Sequence, residues 1–154
     1  MSASQPALVT TGHPEIDREH AVLLALLKKL SYVCPLDGRA AGCRSCSTRQ
    51  RRTCETSLVV VMGGVLGFTV DHFAFEEKAM RAMPDEPAAA AHMEAHIRDH
   101  ETITRNLREL ALSIGFRDVF QSAIEMQAVV QTWLGRHILD FDVPFVAISG
   151  HGLR

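Results

Sequence analysis

The sequence lacks an excess of either charge, a long unbroken apolar run and a basic N-terminal segment. Its 154 residues include 16 lysines and arginines against 18 acidic residues, which gives a formal net charge of −2. Because the basic residues are not concentrated along one helix, we expect neither nucleic acid nor an acidic membrane surface as a partner. The apolar stretch 58–70 holds three glycines and is too short to span a bilayer, and residues 1–7 do not resemble a secretory signal. We therefore expect a cytoplasmic protein.

The sequence also lacks strand patterns and internal repeats, whereas four segments show apolar residues at helical spacing. We predict helices over about 17–33, 55–83, 88–114 and 118–142, with 85 as an alternative start of the third. Four such segments in a chain of this length predict an all-α fold, a four-helix bundle within a single domain spanning 1–154, with the bundle at 12–144. Residues 34–54 break the helical period, and we expect a long cysteine-rich loop between the first two helices.

Histidines interrupt the apolar face of every predicted helix. His72 and Glu76 are four residues apart, as are His96 and His100, so each pair projects from one helix face. His20 belongs to the first helix and His137 to the fourth. One histidine on such a face is more often a core residue than a metal ligand, but five together with carboxylates predict a metal centre on the bundle axis.

The predicted ligands offer nitrogen and oxygen without sulfur, which suits iron, manganese or zinc better than copper(I) or an iron–sulfur cluster. Seven ligands are too many for one ion. They suit two ions that share two bridging carboxylates.

Four segments of the chain closely resemble the hemerythrin family in its bacterial branch. They are residues 12–20 (GHPEIDREH), 72–77 (HFAFEE), 94–100 (EAHIRDH) and 133–142 (WLGRHILDFD). The resemblance implies an up-down-up-down four-helix bundle that holds two iron ions, bridged by an oxo or hydroxo group. It assigns His96, His100 and His137 to one iron, and His20 and His72 to the other, which keeps one open position for dioxygen. It also implies that Glu76 and Asp142 bridge the two irons.

Four large apolar residues flank the predicted ligands and could form a lid over the open position. They are Phe73, Trp133, Leu134 and Ile138. A lid that excludes water would slow the proton-assisted loss of bound oxygen species. The alternative is that they are ordinary core residues.

The positions of two residues differ from what the ligand pattern on regular α-helices would predict. His92 extends the row of His96 and His100 by one turn, and we interpret it as a residue that supports the ligands or packs in the core. Asp142 follows His137 by five residues, about 140° around a regular α-helix, so the helix must widen for both to reach one centre. Asp140 would reach more easily from a regular helix, but the family pattern favours Asp142.

The cysteine loop is not part of the family pattern. Its spacing, Cys34-x8-Cys43-x2-Cys46-x7-Cys54, predicts a zinc site of four cysteines. A reversible thiol/disulfide switch and free thiols in a loop remain alternatives. The nearby arginines would lower the pKa of the thiols or form a docking patch for a partner protein.

Three functions fit these patterns. The first is reversible dioxygen binding for storage, delivery or sensing. The second is an enzyme that reduces peroxide or nitric oxide at the same two irons, and the third is a regulatory module that acts through the cysteine loop. We find no obvious base or proton relay beside the open position, which favours binding over catalysis. A sensor would in addition need a partner protein.

Overall fold

The computed structural model describes residues 9–34, 42–83, 86–116 and 118–149. Within these ranges the regular structure is entirely helical. Its elements are α1 (Pro14–Leu30), a 3₁₀ turn (Gly42–Ser45), α2 (Thr48–Arg81), α3 (Pro87–Ser113), α4 (Val119–Thr132), a π-helix (Trp133–Asp142) and α5 (Val143–Ser149). α4, the π-helix and α5 follow one another directly, so the chain forms four helical columns. The predicted all-α four-helix bundle is confirmed.

Successive columns run in opposite directions. His20 of α1 lies beside His72 of α2, and a side chain added at Gly64 of α2 would meet Leu26 of α1, further along that helix. Likewise Glu76 of α2 lies beside His100 of α3, while Gly115, after α3, lies near Glu55 in the early part of α2. α1 also packs on α4, which closes the bundle.

The core has two apolar parts with a polar layer between them. The larger part fills the bundle from the α1–α2 connection to the level of Phe73 and Ile138. The smaller part, at the opposite end, consists of Ile16, Met80, Phe145 and Val146. The polar layer between them contains the predicted metal ligands.

α1 begins at Pro14, and His13 caps it by accepting a hydrogen bond from the backbone N–H of Ile16. The helix therefore begins a few residues before the start that we predicted at about residue 17. Asp17 lies in the first turn, where its carboxylate accepts hydrogen bonds from the backbone N–H and the hydroxyl of Thr11 at 2.7 and 2.8 Å. It therefore fastens the segment that leads into the bundle.

α2 begins at Thr48 rather than near Glu55, so the predicted loop boundary was wrong. Ser47 and Gln50 form a reciprocal capping box, in which each side chain accepts a hydrogen bond from the other residue's backbone. The helix therefore starts in the middle of the arginine-rich segment, and Cys54 lies within α2. Residues 35–41 of the predicted loop lie outside the described residues.

The fourth column continues to Ser149, beyond the end predicted at Asp142. Pro144 does not stop it, because it stands in the first turn of α5, where a missing N–H is tolerated. Phe145 and Val146 are buried at 0% and 3% exposure against the smaller core cluster. These two side chains therefore pack in the core beyond the end that we predicted for the fourth helix.

α2 meets a length and composition test for a membrane-spanning helix. An 18-residue window within it has a mean hydropathy of 1.8, and 39% of that window is buried in the bundle. The length of the stretch 58–70 therefore does not exclude a span. Core helices of soluble proteins pass the same test. The expectation that this chain has no membrane partner therefore stays a prediction.

Candidate metal centre

The structure brings all seven predicted ligands together in the polar layer. α1 contributes one, α2 and α3 contribute two each, and the π-helix contributes two. They are His20, His72, Glu76, His96, His100, His137 and Asp142, and each is at most 2% exposed. Such complete burial of seven polar side chains requires partners, because an unpaired buried polar group costs roughly 2–7 kcal/mol.

The ligands form two groups, and Glu76 belongs to both. One contains Glu76, His96, His100 and His137, and the other contains His20, His72, Glu76 and Asp142. In each group the four ligand atoms lie within 4.8 Å of one another. Each group is therefore compact enough to hold one ion.

Asp142 faces both groups. Its Oδ1 lies 3.0 Å from Nε2 of His96 and 3.0 Å from Nε2 of His137, while its Oδ2 lies 3.0 Å from Nε2 of His20. In contrast, the side chain of Asp140 is 57% exposed and pairs with Arg136. The structure therefore places Asp142, and not Asp140, between the two groups.

Glu76, which projects from α2, also faces both ligand groups. Its Oε2 lies 3.1 Å from Nε2 of His100, and its Oε1 lies 3.7 Å from Nε2 of His72. Each of the two carboxylates thus directs one oxygen toward each group. This arrangement is what two bridging carboxylates require.

The π-helix explains how His137 and Asp142 reach the same centre. In a π-helix the backbone hydrogen bond joins residues five apart, so these two residues lie on nearly one face. The sequence analysis required a widened helix here, and the structure contains a π-helix of ten residues. π-Helical segments are rare and occur mostly at functional sites.

Three of the five histidines are held from behind by carboxylates that the sequence analysis did not assign. The Nδ1–H groups of His72, His137 and His100 donate to Glu19 at 2.6 Å, Asp99 at 2.7 Å and Glu77 at 3.2 Å respectively. A proton fixed on Nδ1 leaves the Nε2 lone pair directed into the centre. Each of these acids is next to a ligand in the sequence, but each supports a histidine of a different helix.

His92 is not in either ligand group. Its Nε2–H donates to the backbone carbonyl of Phe141 at 3.2 Å, and its ring lies edge-on to that of His96. It therefore braces the π-helix beside Asp142 and His96, in keeping with the supporting role that we predicted.

The charges at the centre depend on one another. Burial, and then the charge of Asp142, raises the pKa of Glu76 well above its usual value. Burial alone would also raise the pKa of Asp142, but the imidazoles of His137, His20 and His96, whose Nε2 atoms lie 3.0 Å from its oxygens, hold that pKa well below the usual value. Two buried carboxylates facing one another need positive charge between them if both are to be ionised.

The residues fit a pair of metal ions. Several central atoms have no hydrogen-bond partner among the described residues, namely Nε2 of His20 and His72, Oε1 of Glu76 and both carboxylate oxygens of Asp142. They face one another in the two groups defined above. Metal ions would satisfy these atoms, and an all-nitrogen and oxygen set suits iron, manganese or zinc.

The four residues predicted as a lid are buried beside the ligands. Phe73, Trp133, Leu134 and Ile138 are 0–4% exposed. The ring of Phe73 stacks on His100 at 3.7 Å and lies 5.0 Å from Trp133. Phe68, which the sequence analysis did not single out, stacks on His72 at 5.3 Å. The centre is thus enclosed by apolar rings on the side of the larger core cluster.

The four cysteines lie at the end of the bundle where α1 leads to α2, and none forms a disulfide. Burial, more than any other cause, raises the pKa of the Cys43 and Cys54 thiols. Our prediction that the arginines would lower the pKa of the thiols was therefore wrong for these two cysteines.

The sequence profile of the hemerythrin HHE cation-binding domain matches residues 11–142, a range that ends at the last ligand. Comparison with curated proteins and with solved structures gave no match. The matched range contains all seven buried ligands and both groups able to hold a metal. The chain therefore belongs to the hemerythrin HHE cation-binding domain family.

Proposed function

We propose that this chain is a non-haem di-iron protein that binds dioxygen reversibly. The observation that carries the proposal is the unequal number of histidines in two ligand groups that share carboxylates. His96, His100 and His137 serve one group, whereas only His20 and His72 serve the other. The ion in the second group would have one protein ligand fewer, which leaves room for a small molecule.

Iron is a metal that suits these nitrogen and oxygen ligands and that can also bind dioxygen. A pair of ferrous ions would supply the two electrons that dioxygen takes up on binding and returns on release. The imidazole and carboxylate ligands suit iron, and the supporting carboxylates Glu19, Glu77 and Asp99 increase the basicity of the histidines that they contact.

The residues of the lid favour binding over reduction. Phe73, Trp133, Leu134 and Ile138 carry no titratable group, so none of them can deliver protons to a bound molecule. Their burial excludes water, which would slow the release of reduced oxygen species. Reversible binding for storage, delivery or sensing is therefore the function that we favour over peroxide or nitric oxide reduction.

Absorption spectra of the reduced, iron-loaded protein under nitrogen, in air and again under nitrogen test the proposal. We expect a visible band that appears with air and disappears when oxygen is removed, over repeated cycles. Immediate irreversible oxidation, without a band that depends on oxygen, would contradict reversible binding and favour the reductase.

Two variants of the π-helix test the role of the lid. Ile138→Ala opens space beside the centre and should shorten the lifetime of the oxygenated protein about tenfold or more, since water then reaches the site. Leu139→Ala changes a neighbour that is 51% exposed and should leave the lifetime unchanged. Equal lifetimes in the two variants would assign Ile138 to the core alone.

A further inference from the structure

A second group of potential metal ligands lies far from the histidines. Cys54 precedes His72 by 18 residues of continuous helix, which places the two about 27 Å apart along α2. Cys34 follows α1, Cys43 lies in the 3₁₀ turn, and Cys46 follows that turn directly. These are the four cysteines of the whole chain. The fold thus collects them at one end of the bundle, from three separate elements.

The four cysteines form two pairs. The Cys54 thiol shares a hydrogen bond with the Cys34 thiol and interacts electrostatically with Cys46. Cys43 and Cys46 are joined by the 3₁₀ turn, in which the Cys46 N–H donates to the Cys43 carbonyl at 3.2 Å. A tetrahedral ion, with sulfur ligands about 2.3 Å away, would join the pairs.

The turn that carries Cys43 and Cys46 is fixed to the bundle. The backbone N–H of Cys43 donates to Asp118 at 3.2 Å, and Asp118 also caps α4. Cys43 and Cys46 are only 7% and 9% exposed, although Arg44 and Ser45 between them are exposed. The turn therefore directs both sulfurs inward, with the two-residue spacing that is usual for structural zinc.

Exposed positive charge lies near the cysteines at the start of α2, whereas the Asp118 carboxylate lies beside Cys43. The first turn of α2 contains no acidic residue, and Arg49, Arg51 and Arg52 lie in or near it and are exposed. The positive end of the helix dipole adds to this charge. A zinc ion with four thiolates carries a net charge of −2 and would offset the arginines and the dipole.

The state of the thiols argues against a reactive redox pair. None of the four forms a disulfide, and Cys43 and Cys46 are only 7% and 9% exposed, which limits the access of oxidants to their sulfurs. A metal ion deprotonates its thiol ligands outright, and burial does not prevent this.

We propose that Cys34, Cys43, Cys46 and Cys54 bind one structural zinc ion that joins the end of α1 to the start of α2. Each thiol releases its proton to water as its sulfur binds the ion. Because zinc has no redox chemistry, the site would remain inert beside an iron centre that handles oxygen. The site does not depend on the proposed function of the iron centre.

Metal analysis of the iron-loaded, full-length protein tests the proposal. We expect about one zinc ion per chain in the wild type and in Ser45→Ala, the control in the same turn. The double variants Cys34→Ser/Cys54→Ser and Cys43→Ser/Cys46→Ser should each lose more than nine-tenths of the zinc. Iron content should stay unchanged in all of them, which also shows that the variants fold.

A second measurement uses the wild type alone. A mercurial thiol reagent should release zinc in proportion to the thiols that it modifies, and cobalt(II) in place of zinc should give thiolate-to-cobalt bands in the near ultraviolet. Zinc that persists in both double variants would overturn the proposal. A wild type without zinc would also overturn it. An intact mass lower by two hydrogens per disulfide would then indicate disulfides, and an unchanged mass would indicate four free thiols.

Discussion

Asp142 shows how much of the candidate centre depends on the position of one side chain. It is fully buried, and its two oxygens lie 3.0 Å from histidines of different groups. Asp140, two residues earlier, has the same chemistry but faces solvent beside Arg136. The two aspartates therefore form a natural pair for a test.

Asp142→Asn should weaken binding of both irons, because the amide removes a negative charge and one oxygen ligand between them. We expect the variant to hold less than half of the iron of the wild type after dialysis against a chelator. Asp140→Asn should retain it all. Equal iron contents in the two variants, measured on the same preparation, would show that Asp142 does not bridge.

The buried histidines predict a pH dependence in the iron-free protein. Burial, together with the charges of His96 and His137, lowers the pKa of His100 from 6.5 to about 2. Below pH 6.5 the unfolded chain therefore binds a proton at His100 that the folded chain does not, and stability falls as the pH falls. From pH 7 to pH 5 the free energy of unfolding should lose about 2 kcal/mol through this residue.

Urea unfolding of the iron-free wild type and of His100→Gln, at both pH values, isolates that effect. The advantage of the wild type over the variant should shrink by about 2 kcal/mol at pH 5 relative to pH 7. A constant difference between the two proteins would mean that His100 is accessible to protons in the folded state.

The ligands could be predicted from the sequence because the spacing of residues within each helix shows which of them share its buried face. Pairs such as His72 with Glu76 need only the four-residue spacing of an α-helix. The supporting acids Glu19, Glu77 and Asp99 could not be predicted, since each contacts a histidine of another helix. Those contacts depend on the relative height of neighbouring helices, which no local pattern encodes.

Among the elements, α2 contains three glycines that differ in their surroundings. A Cβ added at Gly64 would lie 3.2 Å from Cδ2 of Leu26, so this glycine permits the close approach of α1. A Cβ at Gly63 or Gly67 would meet nothing within 4 Å. Of the three, only Gly64 therefore lies at a close contact between the two helices.

Gly67→Ala should therefore stabilise the protein by roughly 0.5–1 kcal/mol, through helix propensity alone. Gly64→Ala should gain less, or lose stability, because Leu26 must shift. Thermal unfolding of both variants in the same buffer gives the comparison. A larger gain for Gly64→Ala than for Gly67→Ala would contradict the packing described here.

The ends of the elements were harder to predict than their interiors. The capping box at Ser47 and Gln50 was visible in the sequence, but the surrounding arginines and cysteines suggested a loop. Pro144 suggested an end to the last helix, although a proline in the first turn of α5 is compatible with helix. In both places the tertiary contacts, by Cys54 and Phe145, extend the helix past the expected boundary.

For the whole molecule, the bundle places two sets of potential ligands in separate regions. The histidine and carboxylate ligands lie between two apolar clusters, each of which holds the helices at a fixed distance. The cysteines lie at the end where the chain passes from α1 to α2. The architecture was predictable, since four amphipathic segments have few ways to bury their apolar faces.

Iron content together with the Mössbauer spectrum of the purified protein tests the central claim most directly. We predict about two irons per chain, in two environments that differ because three histidines serve one iron and two serve the other. Glu76→Ala should reduce the count to about one or fewer, whereas Glu94→Ala, on the exposed face of α3, should leave it at two. A wild type that binds one iron per chain, or a Glu76→Ala variant that keeps both, would contradict the account.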